Sequence, residues 1–320
     1  MKDEYLWDRS GPPDPEVARL EQTLASLRYR HRPGTFQPPR RATQLWRIAV
    51  AAAVLAGVAV WQFRTTPASP VSAWQVTSLY GSAQLGGQEV ILDMPLGIGQ
   101  TLRTGTQTEL TLHAGELGRI DLGPDSELRA ATSRQVLLNR GLLHAYIWAP
   151  PRQFVVDTPS ARAVDLGCEY TLNVDNAGNG LLRVSMGWVA FQFHGHEVFI
   201  PAGAECVTRK RNGPGTPYYQ DAPEPLRRAV DSFETGDPAS LDQILASARP
   251  RDGLTLWHLL TRVPPADRGR VFDRLGELIV LPAEISRDAV LRLDPVMVDL
   301  CWDALNLENT GWWRGWERKW

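Results

Sequence analysis

Apolar residues follow three rhythms along the chain. From Ile48 to Trp61 the run IAVAAAVLAGVAVW carries no charge, and Leu45, Trp46, Gln62 and Phe63 extend it to residues 45–63. That length predicts a single transmembrane helix, with Trp46, Trp61 and Phe63 as interface aromatics and Arg47 snorkelling to the headgroups. From Trp74 to about Thr208 the apolar positions alternate, as in Gln75–Tyr80, Glu109–His113, Phe154–Thr158, Arg183–Met186, Val189–Phe193 and Glu205–Thr208. Turn signals such as Gly86-Gly87, Gly123-Pro124-Asp125 and Asn176 to Gly180 separate them, which predicts an all-β sandwich, barrel or solenoid of short strands. After Pro223 the period becomes helical. Leu226/Val230/Phe233, Leu241/Ile244/Leu245, Leu254 to Leu260, Val271/Phe272/Leu275/Leu278, Ile285–Leu293 and Pro295–Leu305 mark six short helices punctuated by prolines.

Ahead of the apolar run, Asp14 caps and Pro15 starts a helix of about sixteen residues. Val17, Leu20, Leu24 and Leu27 form one stripe on it. A segment this short has no core of its own, so the stripe is read either as a contact for a cytoplasmic partner or as a marginal, solvated helix. The predicted organisation is a segment with one amphipathic helix at 1–44, the transmembrane helix at 45–63 and a linker at 64–73. A mainly β domain at 74–217, a small all-α domain at 218–305 and a Trp-rich tail at 306–320 follow.

The 320 residues are 43% apolar and 22% charged, with a formal net charge of −2. Such a chain packs a core, and it lacks the basic surplus of a dedicated nucleic-acid binder. Charge changes the picture locally. Arg28, Arg30, Arg32, Arg40, Arg41 and Arg47 precede the apolar run, and only Arg64 follows it before Arg103. The positive-inside rule then places residues 1–44 in the cytoplasm and the bulk of a bacterial inner-membrane protein outside. A cleaved signal peptide ending near Val71-Ser72-Ala73 and a buried core helix are the competing readings.

Within the β region, Ile98-Gly-Gln-Thr-Leu-Arg-Thr-Gly105 resembles the G-x-x-L-x-T-G opening of the FecR domain. Gly123-Pro-Asp-Ser-Glu-Leu-Arg129, Arg140-Gly-Leu-Leu143 and Phe154-Val-Val-Asp-Thr-Pro-Ser-Ala161 resemble its following motifs, and Gly187-Trp-Val189 and Pro201-Ala-Gly203 its closing ones. They occur in the family's order over residues 75–208. The resemblance implies a solenoid-like extracytoplasmic domain without catalysis or cofactor. It also implies a cytoplasmic segment that holds an extracytoplasmic-function sigma factor, and an outer partner that delivers a signal. Two features depart from the family: the segment before the membrane is short, and the C-terminal third is helical, so no iron-uptake role is carried over.

Candidate chemistry is sparse. Cys168 and Cys206 fall in the β region with 37 residues between them, and in an oxidising compartment a disulfide there would stabilise by roughly 3 kcal/mol; two free buried thiols are the alternative. His194-Gly-His196 has alternate-residue spacing for one metal ion, but Gly195 marks a turn, so solvated histidines are preferred. Ser160 lacks the flanking glycines of a nucleophile elbow, and Asp157 and Asp165 are eight apart without further catalytic context. No P-loop, HExxH or GxGxxG is present. The segment Gly311–Trp320 holds four Trp and three basic residues, which suits an interface, a glycan, a bilayer or packing onto the preceding helices. The expected function is non-catalytic signal transduction; the alternative is an envelope scaffold with no sigma-factor partner.

Overall fold

The computed structural model describes residues 15–25 and 74–307. In the first unit, helix α1 (Pro15–Leu24) is described by itself.

The second unit begins with strands β1 (Trp74–Tyr80), β2 (Ala83–Leu85), β3 (Gln88–Glu89), β4 (Pro95–Leu96), β5 (Thr101–Thr104) and β6 (Glu109–Ala114). It continues through β7 (Gly118–Leu122), β8 (Glu127–Ala130), β9 (Gln135–Ile147), β10 (Val155–Asp157), β11 (Arg162–Asp165) and β12 (Glu169–Val174). The last strands are β13 (Gly180–Met186), β14 (Trp188–Phe193), β15 (His196–Pro201), β16 (Ala204–Arg209), β17 (Gly213–Pro214) and β18 (Tyr218–Tyr219). Hairpins are dealt alternately to two facing sheets. One sheet holds β1, β6, β7, β12, β13 and β16, and the other holds β2, β5, β8, β10, β11, β14 and β15. Alternation of apolar residues drives this: Leu110, Leu112 and Ala114 of β6 point inward, as do Ile120 and Leu122 of β7.

Strand β9 belongs to both sheets. Its first half pairs with β8 and, in parallel, with β10, and its second half pairs with β7 and β12. The buried positions shift phase along it, from Val136 and Leu138 to Leu143, Ala145 and Ile147. A strand can expose opposite parities to one core only by bending, and the bend falls at Gly141, where φ is +99°. Ser126 closes the corner. Its hydroxyl donates to the Gly123 carbonyl at 2.9 Å and accepts from the Leu142 amide at 3.0 Å. Thr104 repeats the device, donating to the Gly123 carbonyl at 2.7 Å and accepting from the Ser126 amide at 2.9 Å. Both hydroxyls are buried, so these bonds replace the water that the crossing backbone loses.

Six helices follow: α2 (Glu224–Glu234), α3 (Ser240–Ser247), α4 (Gly253–Arg262), α5 (Pro265–Leu278), α6 (Arg287–Leu291) and α7 (Pro295–Ala304). They share one apolar core with the strands. Trp302 of α7 lies 5.8 Å from Trp188 and 5.7 Å from Phe199, ring centre to ring centre, and 4.6 Å from Trp257 of α4. Glu234, at the end of α2, accepts from the Thr216 amide at 2.8 Å and pairs with Arg262 at 3.1 Å.

One expectation is corrected. Among the described residues no helix is long and apolar enough to cross a membrane. The longest, α5, has 14 residues and places Val271, Phe272 and Leu275 against the core, whereas a span needs about 20 apolar residues. The run at 45–63, with Trp46, Arg47, Trp61 and Phe63, lies outside the described residues. Among the described residues the fold is a β-sheet body with a helical region, and the transmembrane helix expected from the sequence is not seen there.

A Cβ on Gly141 would sit 2.4 Å from the Ser126 Cα. Gly141→Ala should therefore destabilise the body by about 3 kcal/mol or more in urea unfolding. Gly99→Ala, also at positive φ but with nothing within 4 Å, should cost only about 1 kcal/mol.

Candidate functional site

Val17, Leu20 and Leu24 of the expected stripe lie on α1, which spans ten residues against the sixteen expected from the sequence. Proline in the first turn presets φ, and Glu16 there complements the helix dipole. No residue of α1 is buried: Leu20 is 61% exposed and Leu24 54%, with Val17 half-buried about one turn before Leu20 on the same side. Leu27 lies outside the described residues. Two leucines one turn apart, both in water, form the largest apolar feature of this helix and need a partner to become stabilising.

The predicted disulfide is not formed. Cys168 and Cys206 are free, buried thiols. Register explains it. Cys206 lies opposite Leu182, and Leu182 lies opposite Leu172, so Cys206 is two strands across and four residues along from Cys168. Those steps separate the Cα atoms by roughly 16 Å, against the 7 Å limit for a bridge. Each thiol has a local acceptor instead: Cys206 donates to the Gly215 carbonyl at 3.4 Å, and Cys168 donates to the Asp165 carboxylate.

Asp165 is the unexpected group. Its side chain is fully buried and also accepts from the Gly167 amide at 2.8 Å. Burial pushes its carboxyl up to about 7, and the bonds from Cys168 and Gly167 oppose the rise only in part. Burial, with the neighbouring Asp165 charge, raises the Cys168 thiol well above its ordinary value and keeps it protonated as the donor. Burial likewise raises Tyr170, whose hydroxyl has no hydrogen-bond partner.

The other residues singled out in the sequence are dispersed. Ser160 is buried with its hydroxyl 2.6 Å from that of Thr208, a corner tie of the same kind as Ser126. Asp157 pairs with Arg162 at 2.8 Å. His194 sits at positive φ in the β14–β15 turn with its ring edge against Phe193, and His196 opens β15. Among the described residues no group of three or more His, Cys, Asp or Glu side chains is placed to hold a metal ion.

Sequence reading missed an outward row on the first sheet. Trp148 is 49% exposed and lies 5.6 Å from His113 and 5.9 Å from Tyr146, ring centre to ring centre. Beside them His144 bridges Glu169 at 3.0 Å and Asp121 at 3.8 Å. Register Gln75–His113–Arg119–Tyr146–Glu169–Met186 aligns this row across six strands. The signal was the outward parity of Tyr146 and Trp148, readable only once the phase shift in β9 is known.

No family model matches the chain, and no curated protein matches it. Two solved structures of a Parabacteroides distasonis protein, provisionally described as an anti-sigma factor, resemble part of it at 14% identity and a TM-score of 0.34. The likeness covers 42% of this chain and 65% or 64% of that one, less than two thirds of its length.

The pH dependence of stability follows from Asp165. Its folded-state value lies above the unfolded one, so the fold favours the protonated form. That contribution is complete at pH below about 4 and is lost as pH rises through about 7. Wild type should lose roughly 3 kcal/mol more than Asp165→Asn between pH 5 and pH 8, measured by urea unfolding at each pH. Parallel pH profiles for the two proteins would show that Asp165 is not the titrating group.

Proposed function

We propose that this chain is a non-catalytic regulatory sensor whose α1 helix holds a sigma factor and whose β-sheet body receives the controlling signal. The observation that carries the reading is the uncovered leucine pair on α1, Leu20 and Leu24. An amphipathic helix of ten residues gains little stability alone and gains much by laying its stripe in a groove. The order of FecR-like motifs from Ile98 to Gly203 supports a sigma-factor groove over another one, and the Parabacteroides protein's description agrees with that class. In this reading the His113, Tyr146 and Trp148 row is the body's contact face for the incoming partner. Transmission requires that the sigma factor bind α1 with different affinity in the two states of the body.

The test is capture from host cytosol on the full chain, with mass-spectrometric identification. Wild type should retain a sigma factor, and Leu20→Glu/Leu24→Glu should lose it by at least about tenfold, since two charges replace two buried apolar contacts. Equal retention by both proteins would remove α1 as the contact. Absence of any sigma factor from wild type would favour the scaffold reading.

A further inference from the structure

We infer that the outward row of the first sheet, centred on Tyr146 and Trp148, binds a neutral glycan chain. The inference rests on the reading that this row is the body's contact face, and it names the chemistry of what arrives there.

Three observations carry it. First, the rings are presented singly to solvent. Trp148 and Tyr146 are both exposed, and Trp148 is tilted by 43° to His113 and by 60° to Tyr146 rather than stacked on either. A sugar ring has C–H bonds on its face and hydroxyls round its rim, so it suits a flat π surface with polar groups at the side. Second, the polar groups at the side are of the matching kind. Arg119 pairs with Asp121 at 3.3 Å, and His144 lies 3.0 Å from Glu169 and 3.8 Å from Asp121. Each of these groups has a partner on the sheet, so no charge is left over for a charged ligand. A guanidinium has five N–H donors and a carboxylate about four acceptor sites, so the paired groups still hydrogen-bond hydroxyls. Third, the row is long. The register Gln75–His113–Arg119–Tyr146–Glu169–Met186 crosses six strands, about 24 Å at the usual strand spacing. One strand step is close to the advance of one sugar in an extended glycan, so the row accommodates a chain of several sugars. A protein ligand would instead bury an apolar centre, and the positions beside Tyr146 on both neighbouring strands are Arg119 and Glu169.

The experiment is binding of the full chain to an array of neutral and uronic-acid oligosaccharides, followed by calorimetric titration with the best neutral hexasaccharide. Wild type should bind neutral oligosaccharides of about four or more sugars and not their acidic counterparts. Its affinity should change by less than about twofold between low and high salt. Trp148→Ala and Tyr146→Ala should each weaken binding by at least about tenfold, whereas Trp148→Phe, which keeps a ring, should stay within about threefold of wild type. These side chains are exposed, so the variants should unfold at the wild-type temperature. No neutral glycan bound by wild type, a preference for the acidic glycans, or full binding by Trp148→Ala would overturn the assignment. Capture from an envelope extract tells that failure from failure of the contact-face reading. A protein held by wild type and lost by Trp148→Ala, with no glycan bound, would keep the face as a contact and overturn the glycan. Trp148→Ala matching wild type in both assays would remove the face as well.

Discussion

The body depends on one bend. Strand β9 serves two sheets, and its inward parity changes at Gly141. If that strand ran straight, either Val136 and Leu138 or Leu143, Ala145 and Ile147 would face water, and half of the sandwich would lose its centre. Ser126 and Thr104 make the bend affordable by accepting and donating the bonds that a crossing backbone forfeits. Thr108 with Ser82, and Ser160 with Thr208, secure other turns between strands in the same manner. Small hydroxyls and glycines, rather than charges, hold this fold at its corners.

That explains which parts of the structure were legible. Strands such as Glu109–Ala114 alternate cleanly and are read directly from the pattern. The helices from Glu224 to Ala304 appear in their expected order, because prolines and leucine spacing mark each one. The polar corners were visible as T-G, P-x-S and R-G-x-L motifs, but their physical role was not. A buried hydroxyl and a solvated one have the same sequence.

Long-range register was beyond reach. Cys168, just before β12, and Cys206 on β16 belong to the same side of the body, yet four residues of offset along the strands keep them apart. Asp165 had no distinguishing context in the sequence and is buried beside a thiol donor, a placement unusual for a carboxylate. Tyr146 and Trp148 face outward, on a row that the local pattern did not single out. In each case the deciding fact is which neighbour the fold brings alongside, and local pattern does not carry that.

The regulatory account rests on α1 having an external partner. The most direct measurement is backbone amide exchange over Pro15–Leu24 in the full chain, alone and with a purified extracytoplasmic-function sigma factor from the same cell. The account predicts exchange near the unprotected rate alone and slowing of at least about a hundredfold in the complex. Strong protection of these amides in the free chain, or no protection in either state, would contradict it.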